Sequence, residues 1–171
     1  EECKYLYYYF FQKEAAGGYC IVDGTDWYYE ARFNYDMPDL NLASEAVREE
    51  IRKIMEFWLN KGVAGFRRDA AKEFYSGAVA KNVEVLSFLQ ETATAYKEDA
   101  YLVAEVWDSF AAVSEYYTSG ITSLFNVAFG NSDGKITSVI RGAGNPSTVT
   151  TYATALEKAD KAYLGANPNY I

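Results

Sequence analysis

The chain contains no histidine. That absence removes Ser-His and Cys-His nucleophilic pairs and the usual zinc sets, leaving carboxylates as the main general acids and lysine and tyrosine as weaker ones. Cysteine is nearly as scarce, with only Cys3 and Cys20. They are placed either to face each other across a hairpin or to stay packed as thiols, and the compartment stays open. No apolar run approaches the length of a membrane-spanning helix, and the opening Glu-Glu-Cys-Lys does not read as a signal peptide. Positive charge is also short: 16 Lys and Arg stand against 24 Asp and Glu, a net charge of −8. Nucleic acid needs a basic face, and none is offered.

What the chain does have is apolar and aromatic side chains. Half of its 171 residues are hydrophobic, enough for one domain with a real core, and 16 are tyrosine. Tyrosine and tryptophan present a flat apolar face with a polar handle, which suits a sugar ring. For any single tyrosine, packing in the core or on the surface is the simpler reading.

Two short apolar runs end on charge. Val63 to Ala71 reads Val-Ala-Gly-Phe-Arg-Arg-Asp-Ala-Ala, and Tyr101 to Asp108 reads Tyr-Leu-Val-Ala-Glu-Val-Trp-Asp. As buried parallel strands they would deliver Arg67 with Asp69, and Glu105 beside Trp107, to one sheet end. Side chains alternate along a strand, so Arg67 and Asp69 share a face, and the guanidinium lowers the carboxyl's pKa. That suits a nucleophile or a charge stabiliser. Asp69 and Glu105 stand 36 residues apart, one parallel strand-helix-strand repeat. On neighbouring strands roughly 4.8 Å apart, their carboxyls reach about the 5–5.5 Å separation of a retaining glycosidase pair. Spacing alone does not separate this from two solvated strand ends.

Along the chain, Lys4 to Lys13 reads as a strand, Ala15 to Gly18 as a turn, and Tyr19 to Val22 as the return, with further turn signals at Asp23-Gly24-Thr25 and Asp26-Trp27. Met37 to Asn41 is a compact loop, and Ser44 is placed to cap a helix whose Val47, Ile51, Ile54, Met55, Trp58 and Leu59 share a face. Gly62 ends it. Further helices are expected over Asn82–Lys97, with Val83, Leu86, Leu89 and Ala93 inward, over Phe110–Thr118, and from Ser147, with Val149, Tyr152, Leu156 and Tyr163 inward. A third parallel strand is expected over Leu124–Phe129. A break follows at residues 130–133, an ambiguous segment at Ile136–Ile140, and a loop at 142–146.

Strand and helix alternate after residue 36, which argues a parallel sheet with helical crossovers: a (β/α)8 barrel or a doubly wound sheet. Charged residues at successive strand ends, and no glycine-rich phosphate loop, favour the barrel. About three strands are present where a closed barrel needs eight. The chain is therefore expected to be an internal piece of a TIM barrel, about strands 4 to 6 with their helices. Residues 1–36 then form the aromatic, antiparallel tail of an excursion domain, and residues 37–171 the central part of the barrel.

Met37-Pro-Asp-Leu-Asn41, Gly65-Phe-Arg-Arg-Asp-Ala-Ala-Lys72 and Val103-Ala-Glu-Val-Trp107, in this order and spacing, resemble the α-amylase family of retaining α-glycosidases. The resemblance implies Asp69 as nucleophile, Arg67 as the arginine bonded to it, and Glu105 as acid/base, kept protonated by a partly apolar strand end. It implies Lys72 at the acceptor subsites and Trp107 either packed in the core, against Glu105, or lining the cleft. Asp39 matches a position that ligates a structural calcium in many members, or else caps its loop. Glu73 stands where the family has a cleft-lining histidine whose carbonyl often binds calcium. The implied substrate is an α-glucan, and the implied location is extracellular. Oligomeric state is not implied.

The chain also departs from the family. The motif after the third strand and the later Asn-His-Asp with its third carboxylate are absent and would lie upstream of Glu1 and downstream of Ile171. The isolated 171 residues are accordingly expected to be inactive and to aggregate through exposed strand edges. Arg68 replaces an aliphatic residue and points under the helical layer, where it needs an acid such as Glu56 or Glu91. A non-catalytic amylase-like scaffold and a transglycosidase are the alternative readings.

Overall fold

The computed structural model describes residues 3, 5–130, 134–141 and 146–171. The break expected at 131–133 and the loop expected at 142–145 lie outside them. The chain forms two compact units, Glu1–Phe57 and Trp58–Ile171.

In the first unit three short strands, β1 (Phe11–Gln12), β2 (Tyr19–Ile21) and β3 (Tyr28–Glu30), form an antiparallel sheet in the order β1-β3-β2. This corrects the sequence reading, which paired Lys4–Lys13 with Tyr19–Val22. Leu6–Tyr8 is instead a 3-10 turn, and β3 takes the place next to both other strands. The stronger turn signal decides it. Asp23-Gly24 closes the β2–β3 hairpin with Gly24 at φ +74, the Val22 N–H donates to the Trp27 carbonyl at 2.8 Å, and the Trp27 N–H donates to the Thr25 hydroxyl at 3.1 Å. Cys3 is exposed, Cys20 is half-buried in β2, and both are free thiols.

Ser44 immediately precedes α1 (Glu45–Asn60), its carbonyl accepting the Arg48 N–H at 3.0 Å. The buried line is the i, i+4 row of Val47, Met55 and Leu59. Ile54 and Trp58, expected inward, lie on the flank of that row and are exposed. Gly62, at φ +94, ends the helix.

The second unit is built on a parallel sheet in the order β4 (Gly65–Arg68), β5 (Tyr101–Ala104), β6 (Ser123–Leu124), with Arg67 opposite Val103 and Val103 opposite Ser123. The crossovers are α2 (Val79–Tyr96) and α3 (Phe110–Tyr117). On β5, Leu102 and Ala104 are fully buried, and Leu86, Leu89 and Ala93 of α2 are buried with them as expected. Val85, and not Val83, completes the deeply buried row. The strand expected to reach Phe129 stops at Leu124, and Val127–Gly130 is one turn of helix, α4. The ambiguous segment is helical, α5 (Lys135–Arg141), and α6 runs Pro146–Ala166. In α6 Tyr163 is buried as expected, with Ala159 beside it, whereas Val149 and Leu156 are exposed. Among the described residues no helix is long and apolar enough to cross a membrane.

Candidate active site

The main-chain ladder between β4 and β5 continues past the strand ends. The Glu105 N–H donates to the Arg68 carbonyl at 2.8 Å, and the Ala71 N–H donates to the Glu105 carbonyl at 2.9 Å. These bonds set Asp69 and Glu105 side by side at one sheet end. Between them and the next turn, Ala70 adopts φ 43, ψ 43, the only non-glycine with positive φ among the described residues. Left-handed backbone at a residue with a Cβ is strained, and here the strain turns the chain sharply after Asp69.

Arg67 and Asp69 share a face, as alternation requires. Arg67 Nη2 lies 3.1 Å from Asp69 Oδ1 and 2.5 Å from Glu105 Oε2, so one guanidinium nitrogen spans both carboxyls. The other Glu105 oxygen, Oε1, accepts the Trp107 indole N–H at 2.5 Å. Asp69 is held below the usual carboxylate range, first by its interaction with the Glu105 carboxyl and then by Arg67. The side chain of Asp69 is 75% exposed and that of Glu105 17%.

Trp107 is 61% exposed, so core packing is excluded as its role. Lys72 reaches across from the turn after β4, pairing with Asp108 Oδ2 at 2.8 Å and donating to the Trp107 carbonyl at 3.3 Å. Glu73 turns away to accept the Ser76 hydroxyl and joins neither carboxyl. An open cavity of about 340 Å³ is lined by Arg67, Glu105, Trp107, Phe125 and Asn126 with the start of α4.

Three residues of this arrangement escaped the sequence reading. Phe125 presents its ring centroid 5.7 Å from the Arg67 guanidinium. It follows β6 as Asp69 follows β4, so counting strand ends would have found it. Asp108, next to Trp107 in the quoted run, is the anchor of Lys72. Asn82, buried at the start of α2, accepts the Tyr75 N–H at 2.7 Å and donates to the Lys72 carbonyl at 2.8 Å, pinning the turn that carries Lys72. A lone asparagine near a helix start gave no signal for that.

Arg68 points away from the carboxyls. Its Nε and Nη2 are buried without a hydrogen-bond partner, and no acidic side chain pairs with it among the described residues, against the expectation of Glu56 or Glu91. It stacks on Phe66 at 4.9 Å, and burial pushes it down to about 10.

Asp39 belongs to the other unit. Its Oδ2 accepts the Arg32 N–H at 2.9 Å, and its own N–H donates to the Glu30 carbonyl at 2.9 Å, which is the loop-capping arrangement. Among the described residues no three Asp, Glu or Cys side chains gather to hold a metal ion. Calcium takes six to eight oxygens, and these residues do not complete such a shell by themselves.

Parallel strands joined by helices, with two carboxyls at adjacent strand ends, form a segment of a (β/α) barrel. The description "Alpha amylase, catalytic domain" matches residues 7–163, and the chain belongs to the α-amylase family. It is 46% identical to Alpha-amylase 3 of Dictyoglomus thermophilum over 99 residues, covering 58% of this chain and 19% of that protein. It is 42% identical to the amino acid transporter heavy chain SLC3A1 of Rattus norvegicus over 72 residues, covering 41% of this chain and 10% of that protein. The solved structure of Eubacterium rectale Amy13B superposes with a TM-score of 0.92 at 42% identity, over 99% of this chain and 33% of that one. The chain thus spans a third or less of the length of these relatives.

Proposed function

We propose that this chain is the central catalytic segment of a retaining α-glucan hydrolase, with Asp69 as nucleophile and Glu105 as acid/base. The observation that carries the proposal is Arg67 Nη2 within reach of both carboxyls, 3.1 Å from Asp69 and 2.5 Å from Glu105. Asp69 attacks the anomeric carbon while Glu105 gives its proton to the glycosidic oxygen. The C–O bond to the leaving sugar breaks, and a glycosyl ester forms on Asp69. Glu105, now ionised, takes a proton from water, which displaces Asp69. Arg67 keeps Asp69 ionised for the first step. Trp107 and Phe125 wall the cavity beside Glu105, and Lys72 borders the acceptor side.

The third carboxylate of the family's pattern has no counterpart in these 171 residues. We therefore expect the chain alone not to hydrolyse starch or maltodextrin. In a longer protein carrying the segment, Asp69→Asn and Glu105→Gln each abolish turnover. A fluorinated α-glucosyl fluoride, which slows the second step, labels Asp69 and no other residue by peptide mass spectrometry. Turnover that survives Asp69→Asn, or a label elsewhere, overturns the assignment.

The similarity to a protein named as an amino acid transporter heavy chain supports a second reading, a non-catalytic scaffold. The presence of Arg67, Asp69 and Glu105 together favours the enzyme, and the labelling experiment decides between them.

A further inference from the structure

Both cations at this end of the sheet are already matched by acids. Arg67 Nη2 lies between Asp69 and Glu105, and the Lys72 ammonium pairs with Asp108 Oδ2 at 2.8 Å. With Glu73 next to Lys72 in sequence, four carboxyls stand against two cations. Lys72 is fixed at both of its ends. Its main-chain carbonyl accepts the Asn82 amide at 2.8 Å, and its ammonium also donates to the Trp107 carbonyl at 3.3 Å. Asp108 is fixed as well, because its Oδ1 accepts the N–H of Ser109, the residue that caps α3. An ammonium has three donors, and two are used among the described residues, so the third is left for a ligand. A ligand can reach it: the Lys72 and Asp108 side chains are 39% and 32% exposed, and Trp107, the residue before Asp108, lines the cavity beside Glu105.

We infer that Asp108 is a specificity-determining residue: by holding and neutralising Lys72, it makes the ammonium a hydroxyl donor for an uncharged sugar and closes this side of the site to phosphorylated sugars. A sugar whose bridging oxygen takes the Glu105 proton lies beside the segment that carries Glu105, and the Lys72–Asp108 pair is anchored there. A sugar hydroxyl needs one correctly aimed N–H, which the tether supplies with the lysine's rotamer freedom already lost. A phosphoryl group needs an unmatched cation and meets the Asp108 carboxylate instead, so the acid is a repulsive element against the charged competitor. The inference rests on the reading of the site as one for α-glucans, but its test needs no turnover.

The chain has three tryptophans, Trp27, Trp58 and Trp107, so the indole ¹H–¹⁵N signals of the 171-residue protein are few, and Trp107→Phe assigns the one beside the pair. Maltose is expected to shift the Trp107 signal saturably, while Trp27 and Trp58 report that the fold is intact, and glucose 6-phosphate is expected to bind more weakly than maltose. Asp108→Asn, which keeps the shape and removes the charge, is expected to move the two ligands in opposite directions. Affinity for glucose 6-phosphate rises roughly three- to fivefold, and affinity for maltose falls. Adding Lys72→Met to Asp108→Asn removes the gain, and Asp108→Glu restores the original order. A loss for both ligands in Asp108→Asn would make the residue merely structural and overturns the inference. So does no change for either ligand, a gain that survives Lys72→Met, a Trp107 signal that maltose does not move, or glucose 6-phosphate bound by the unaltered protein as tightly as maltose. The hydrolase reading is decided separately: a labelled Asp69 without the opposite shifts sinks this inference alone, and opposite shifts without a label leave it standing.

Discussion

Gly65 lies so close to Tyr101 that a Cβ built on it would stand 1.7 Å from the Tyr101 carbonyl oxygen and 2.5 Å from the carbonyl carbon. The contact is backbone against backbone, in the first register pair of β4 and β5, and no side chain can give way. Gly65→Ala is therefore expected to cost about 3 kcal/mol or more, or to prevent folding. Chemical denaturation measures it. A loss below about 1 kcal/mol would mean that the strands separate without penalty.

Arg68 is the opposite case, a residue whose removal should help. Its buried guanidinium lacks partners for Nε and Nη2, so Arg68→Leu exchanges an uncompensated charge for apolar contact. The expected gain is roughly 1–3 kcal/mol, read as a melting temperature higher by about 3–8 °C. The pH dependence follows from the lowering of Arg68 from 12.5 to about 10. The unfolded chain holds this proton more tightly, so the penalty is complete below about pH 10 and is relieved as pH rises from there. The advantage of leucine should shrink in that window. An unchanged or lower melting temperature for Arg68→Leu at neutral pH would count against the burial argument.

Asn82 sits beneath the turn that carries Lys72. Asn82→Ala strips the partner from the Tyr75 N–H and the Lys72 carbonyl and opens a small void, for a loss of about 2–4 kcal/mol in urea unfolding. If the loss is under about 1 kcal/mol, water has replaced the amide and the turn is not pinned by it.

The parallel sheet and its two strand-end carboxyls were legible because they rest on short-range rules: apolar runs of strand length, alternation within a run, and glycine or charge at each end. Arg67 and Asp69 meet because alternation leaves them no other option. The misreadings have a common physical origin in pairings that sequence does not encode locally. Tyr19–Ile21 pairs with β3 because the Asp23-Gly24 turn competes better than Ala15–Gly18, a comparison of turns and not of strands. Leu124–Phe129 is apolar enough for a strand, yet the ladder to β5 ends with the Phe125 N–H on the Ala104 carbonyl, and the remainder coils into α4. The missed partners, Asn82, Asp108 and Phe125, act through contacts whose meaning appears only when three strand ends are brought together.

The ladder bonds on either side of Glu105 bear on how such a site diversifies. The Glu105 N–H is held by the Arg68 carbonyl and its carbonyl by the Ala71 N–H, so the spacing of the two carboxyls is written in main chain. Side chains beyond Glu73 and beyond Asp108 take no part in that spacing. Insertions or exchanges there can remodel what reaches the cleft while the two carboxyls keep their separation. A segment of this kind is a transferable cassette: the carboxyl spacing is fixed by two peptide groups, and the rest of the cleft is left to whatever loops are attached.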